Sequence, residues 1–192
     1  MKTLLAQVRK CTVCAAALSH PPRPILSVGA RSSILIIGQS PGLKVHNSGI
    51  PWQDASGKTL REWLGVDEAT FYNVDHFALM PMGFCYPGKG VSGDLPPRPE
   101  CAPLWHERLL AEMKTVSLTL LIGQYSQRRY LAERAGENLT DTVRRFSIYL
   151  PRFLPLPHPS PRNRPWLAQN SWFGTDLLPI LRQRVAASLG SK

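Results

Sequence analysis

Residues 33–38 read SILIIG and residues 117–123 read SLTLLIG. Both are nearly unbroken aliphatic runs that end in glycine, and a glutamine follows each. A strand with one wet face alternates apolar and polar residues, whereas a strand covered on both faces does not. Continuous runs of this length therefore mark the interior of a parallel sheet. Two weaker runs join them: HFALMPM from His76 and FSIYLPRFLPLP from Phe146. Proline interrupts both, and because it cannot donate to a ladder these strands are expected to be short or to lie at an edge. Helix-like stretches separate the four runs, at Gly57 to Leu64, Ala102 to Met113, Ser126 to Ala135 and Leu139 to Arg145, with a closing TDLLPILRQRVAASL. This alternation predicts an α/β sandwich with a four-stranded, mainly parallel sheet. Ligands in such folds bind at the carboxyl ends of the strands. The segments to watch are GQSPG at 38–42, the residues after LMPM, and HPSP at 158–161.

The 192 residues, 43% of them hydrophobic and 19% charged, suit a single globular unit over 1–192 with one sizeable core. No uninterrupted apolar run approaches the roughly 20 residues of a membrane span. The opening MKTLLAQVRKC has the look of a signal peptide, but QVRK interrupts its apolar stretch early, so it is read as a short amphipathic helix in a cytoplasmic protein. Eighteen prolines keep the elements short, and HPPRP at 20–24 makes a stiff connection after that helix. An excess of 23 Lys and Arg over 13 Asp and Glu, a net +10, favours an anionic partner such as the phosphates of nucleic acid. Charge alone does not decide this, because many basic proteins bind no polyanion.

The four cysteines, Cys11, Cys14, Cys85 and Cys101, form one C-x2-C pair and one C-x15-C pair. A zinc ribbon offers two close C-x2-C knuckles, and the second pair is too widely spaced for that. One close pair with two separated thiolates suits a cubane whose four irons each take one thiolate. Four buried free thiols remain the alternative, since free cysteine often serves as a small core residue. A disulfide framework belongs to oxidising compartments rather than to the cytoplasm.

The order of CTVC, IIGQSPG, GIPWQDASGKTLREWL, FCYPGKGVSGDLPPRPEC and HPSP along nearly the whole chain resembles the uracil-DNA glycosylase superfamily, specifically its iron–sulfur, family 4-like branch. The resemblance implies a three-layer α/β/α sandwich around a four-stranded sheet. It also implies a structural 4Fe-4S cluster on Cys11, Cys14, Cys85 and Cys101, and a DNA partner, single- or double-stranded, that carries a modified base. The expected protein is a monomer.

Hydrolysis of a uracil–deoxyribose bond passes through a cation-like sugar and an anionic leaving base. The site therefore needs donors aimed at the uracil carbonyl oxygen as charge develops there. By the resemblance His158 is that donor, preorganised by the prolines around it; taken alone, HPSP is equally a proline-locked surface turn. Ser160 corresponds to a phosphate contact. The backbone amides near Gln39 and Ser40 would line the pocket, with Gly38 and Gly42 letting the chain approach the base closely. Trp52 corresponds to the aromatic that stacks on uracil, unless it is simply core. Ser56, Gly57 and Lys58 begin a helix whose amino end suits a phosphate. Arg162 and Asn163 stand, with Arg164, where the family inserts a wedge into the duplex, and are read here as DNA contacts.

The departures are as informative as the matches. Other branches carry an acid in or just after the first motif; here those positions hold Gln39, Ser40 and, a little beyond, His46. His46 is open to three roles: base, phosphate ligand or packing residue. Asp54 is the nearest carboxylate and a second candidate. The iron–sulfur enzymes carry an asparagine at the end of the second strand to read the base, and this chain has Met80, Pro81 and Met82 there instead. Asn73 lies too early in the chain to replace it. The alternative reading is accordingly a catalytically weak iron–sulfur protein that binds damaged or single-stranded DNA.

Overall fold

The two aliphatic runs form the centre of the sheet in the computed structural model, which describes residues 1–190. Residues 191 and 192 of the unit expected over 1–192 lie outside the described residues. Strands β1 (Ile34–Ile37), β2 (Phe77–Leu79), β3 (Leu118–Ile122) and β4 (Phe153–Leu156) pair in the order β2-β1-β3-β4. Every pairing is parallel, with Ile36 opposite both Leu79 and Leu120. The proline-interrupted runs are the short edge strands. Pro155 is tolerated within β4 because an edge strand has one row of amides without a strand partner.

Successive residues of β1 face opposite sides, as the period of two requires. Ile34 and Ile36 enter one apolar cluster with Leu60, Leu64, Phe71, Val143 and Leu181. Leu35 and Ile37 enter a second with Val8, Trp105, Leu109 and Leu131. The first face is covered by α3 (Ala55–Leu64), α4 (Glu68–Tyr72), α7 (Leu139–Arg144) and α9 (Leu178–Gly190). The second is covered by α1 (Lys2–Arg9), α5 (Cys101–Glu112) and α6 (Gln124–Leu131). The result is the three-layer α/β/α sandwich expected from the sequence. Two further short helices, α2 (Leu43–Ser48) and α8 (Arg164–Gln169), follow the glycine turn and the histidine loop.

Several boundaries differ from the sequence reading. The FSIY half of the fourth run is a 3-10 turn, Phe146–Tyr149, with Tyr149 buried and its hydroxyl donating to the Arg134 carbonyl at 2.7 Å. Extended structure starts only after Pro151. The helix expected from Ser126 to Ala135 ends at Leu131 and passes into a 3-10 turn. The closing helix begins with a π turn, Phe173–Leu177, just ahead of Pro179; proline has no N–H for a preceding carbonyl, and the wider turn accommodates that loss. Among the described residues no helix is long and apolar enough to cross a membrane.

Candidate active site

Where β1 and β4 end, the chain leaves a cleft of about 550 Å³. Gly38, Gln39, Ser40 and Gly42 border it from the turn after β1, and His158, Ser160, Arg162 and Asn163 from the loop after β4. Trp52 and Asp54 border it just before α3, and Pro81 at the end of β2. Nine of the ten residues expected at the site for catalysis or substrate binding thus meet in one place.

Trp52 sets the shape of the cleft. Its φ of 59° lies in the left-handed region that non-glycine residues rarely adopt, a conformation that persists where the surroundings over-determine it. Two glycines supply those surroundings. A Cβ on Gly57 would lie 1.7 Å from the Trp52 carbonyl oxygen, and one on Gly38 would lie 2.8 Å from the indole ring. The indole sits 5.8 Å from the His158 ring, tilted by 31°. Two stacked contacts need about 7 Å, so no base fits between the rings and together they form one wall.

The histidine loop is braced from within. The Asn163 side-chain amide donates to the His158 carbonyl at 2.7 Å, and Ser160 Oγ accepts the Arg162 N–H at 3.2 Å, capping a 3-10 turn over Pro161–Asn163. His158 is half-buried between two buried prolines. Burial lowers its pKa, the nearby Asp54 carboxylate opposing the shift, so the imidazole is neutral near pH 7 and offers an N–H without a charge.

The amino end of α3, read above as a phosphate site, is filled from within the chain. Asp54 is its N-cap and accepts the Gly57 N–H at 2.8 Å. A carboxylate there already satisfies the helix end and repels an anion.

Sequence reasoning missed Asp94. A tight turn links Lys89 to Asp94 through an isolated bridge, with the Gly90 N–H donating to the Gly93 carbonyl at 2.6 Å. The turn carries Asp94 to the rim of the cleft, where its Oδ2 lies 3.3 Å from the place a Cβ on Gly42 would occupy. Partial burial raises its pKa; Arg162 and Lys89 oppose the shift and Asp54 adds to it. One signal was available: Asp94 is the one carboxylate between Gly83 and Pro99.

At the end of β2, where the resemblance to the iron–sulfur branch implies an asparagine, Met80 and Met82 are buried and Pro81 faces the cleft. His106 on α5 holds Pro81 from behind. A carbonyl can only accept, so His106 Nε2–H donates to the Pro81 oxygen at 3.0 Å, and Nδ1 accepts from the Tyr130 hydroxyl at 2.6 Å. Burial pushes His106 down to about 4 and Tyr130 up to about 12, which matches a neutral ring and a protonated hydroxyl. Asn73 is occupied elsewhere, its Oδ1 accepting the Asp75 N–H at 3.0 Å.

His46 is not among the residues bordering the cleft. It is buried on α2 against the rings of His20, at 5.3 Å, and Tyr86, at 6.0 Å, with Nδ1 unpartnered. Burial lowers its pKa, helped by His20 and Arg23. Of its three candidate roles, this position suits packing.

The cysteines gather elsewhere. Cys11 and Cys14 follow α1, Cys85 follows β2 and Cys101 opens α5; all four are free, half-buried thiols bordering one small cavity with Arg98, Glu100 and Trp105. Cys101 Sγ accepts the Phe84 N–H at 3.4 Å, and Cys14 Sγ lies 3.8 Å from Glu100 Oε2. Desolvation drives Cys85 up to about 11 and Cys101 up to about 12, with the other thiols of the group adding to the shift. Among the described residues no group of three or more His, Cys, Asp or Glu converges closely enough to hold a single metal ion.

Lys44, Lys58, Arg162 and Arg164 are exposed cations, and Arg162 borders the cleft. Residues 27–182 match the family model described as the Uracil DNA glycosylase superfamily, a span that takes in the sheet, the glycine turn and the histidine loop, and the chain belongs to that superfamily.

Proposed function

We propose that the protein is a DNA glycosylase that removes uracil or a related deaminated base by hydrolysing its N-glycosidic bond, the opening step of base excision repair. The observation that carries this reading is the wall made by Trp52 and the neutral, braced His158 beside the glycine turn. A target base must leave the stack to reach such a cleft. There Trp52 offers an apolar face, and the His158 N–H meets the carbonyl oxygen on which negative charge grows as the bond to C1′ breaks. A donor fixed before the reaction stabilises that charge without reorganising, so its effect falls on the chemical step. The exposed Arg162 at the cleft, the exposed Lys44, Lys58 and Arg164 and the net +10 suit the phosphates on either side of the flipped nucleotide.

The proposal includes a 4Fe-4S cluster held by Cys11, Cys14, Cys85 and Cys101. The donor set fits: four unbridged thiols from three separate segments surround one cavity. The space now enclosed is only about 20 Å³, near that of one water, so binding requires the thiols to spread. When bound, the cluster supplies a structural tie between the end of α1 and the start of α5. A cytoplasmic monomer, in a compartment that keeps thiols reduced, completes the reading.

One observation favours the second reading, a weak enzyme that chiefly binds damaged or single-stranded DNA: Pro81 faces the cleft where a side-chain amide would read the base. A cleavage assay separates the two. Oligonucleotides containing uracil, hypoxanthine or xanthine are incubated with the protein and treated with alkali to reveal abasic sites. Strand scission at one of these bases is the expected result. Tight binding with no scission at any of them supports the second reading.

A further inference from the structure

We infer that Asp94 is a catalytic residue of this cleft, the carboxylate that orients the attacking water and takes its proton; the inference rests on the glycosylase reading above. His158 serves the departing base and leaves the sugar side of the reaction without a partner. The first motif offers no acid there, since its side chains are Gln39 and Ser40. The fold replaces the missing group through space. The turn at 89–94 lays a carboxylate against Gly42, the last residue of that motif, on the rim of the same cleft that His158 borders.

Asp54 and Asp94 are the two carboxylates that border the cleft. Asp54 is spent on the end of α3, where it caps the helix and accepts the Gly57 N–H at 2.8 Å. Asp94 has no such tie: its oxygens accept no hydrogen bond from a described side chain or backbone amide, and its exposed position at the rim gives water access. The charged and titratable groups that face it are Arg162 from the histidine loop, Asp54 from the head of α3, Lys89 from its own turn and Tyr86 from the end of the preceding segment. Arg162 also packs over this turn, its Nη1 2.8 Å from where a Cβ on Gly93 would be. The turn and the histidine loop thereby close the same side of the cleft.

The step balances without a further reactant. The water oxygen bonds to C1′ and the bond from C1′ to the base nitrogen breaks. That electron pair leaves with the base, hydrogen-bonded by His158, while the water proton passes to Asp94. Solvent then protonates the released base.

The test is single-turnover cleavage of a uracil oligonucleotide by wild type, Asp94→Asn, Asp94→Glu and Asp54→Asn, with affinity for abasic DNA and thermal unfolding measured in parallel. Asp94→Asn should lose about 10²–10⁴ in rate while keeping its affinity and its fold, the range typical of a general base. The wild-type rate should fall as pH drops through the Asp94 pKa. That acid limb should vanish in Asp94→Asn, return in part with Asp94→Glu, and persist in Asp54→Asn. Wild-type cleavage with an unaltered rate in Asp94→Asn overturns this inference alone, as does a limb that disappears with Asp54→Asn instead. Failure of wild type to cleave any modified base overturns the glycosylase reading and this inference with it.

Discussion

The cleft and the cysteine corner both join segments far apart in sequence, yet they are held in opposite ways. At the cleft the backbone does the holding. Gly38 and Gly57 admit Trp52, the Asn163 amide grips the His158 carbonyl, and the Gly38 and Gln39 carbonyls accept the Met82 and Gly83 N–H groups at 2.9 and 3.0 Å. The site stands ready without a ligand. At the corner four thiols converge with only long contacts of 3.4 and 3.8 Å, and burial holds Cys85 and Cys101 far above the ordinary thiol range. A finished site should register a mutation in rate, an unfinished one in composition and stability. His106 links the two regions, since α5 begins at Cys101 and also holds Pro81 at the cleft.

The sharpest test of that contrast is His158→Ala. Removing one preorganised donor costs about 10²–10³ in rate, roughly 2.7–4 kcal/mol, so single-turnover cleavage should fall by that factor with DNA affinity and iron content unchanged. A loss confined to binding would place His158 outside the chemistry.

The converse variants are Cys85→Ser and Cys101→Ser. Protein purified without oxygen should be brown with about four iron per chain, and both variants should be bleached. A tie between residues 14 and 85 acts like a cross-link over a long loop, worth about 2–4 kcal/mol on the disulfide scale, and the loss should appear in denaturant unfolding. Colourless wild-type protein with one equivalent of zinc, or variants that stay brown and fully stable, would remove the corner from the comparison.

His106 tests the link through pH. Its pKa is about 4 in the fold against about 6.5 unfolded, so between those values the unfolded chain binds the more protons. The stability gained by keeping it neutral is whole above about pH 6.5 and is lost as pH falls towards 4. Wild type should lose about 2 kcal/mol more than His106→Gln between pH 7 and pH 5. Equal losses would show that the ring carries no such burden.

The smallest effect concerns the rim. Arg162→Ala with Arg164→Ala should reduce the slope of log affinity against log salt by about 2, one for each phosphate contact removed. An unchanged slope would move the DNA-binding face away from the histidine loop.

SILIIG and SLTLLIG determined the centre of the sheet, because burial on both faces is written in local composition and needs no knowledge of the neighbours. The same local logic made the glycine turn and the HPSP loop legible as a site at strand ends, and the prolines named the edges. Tertiary structure decided what depends on the path of a loop. It turned FSIY into a 3-10 segment, used Asp54 to close the helix end offered to phosphate, and buried His46 against His20 and Tyr86 away from the cleft. It also brought Asp94 against Gly42, across a separation that no periodicity spans. Periodic patterns report which face of an element is buried; the meeting of two side chains on different loops is fixed only when both loops are packed on the finished sheet.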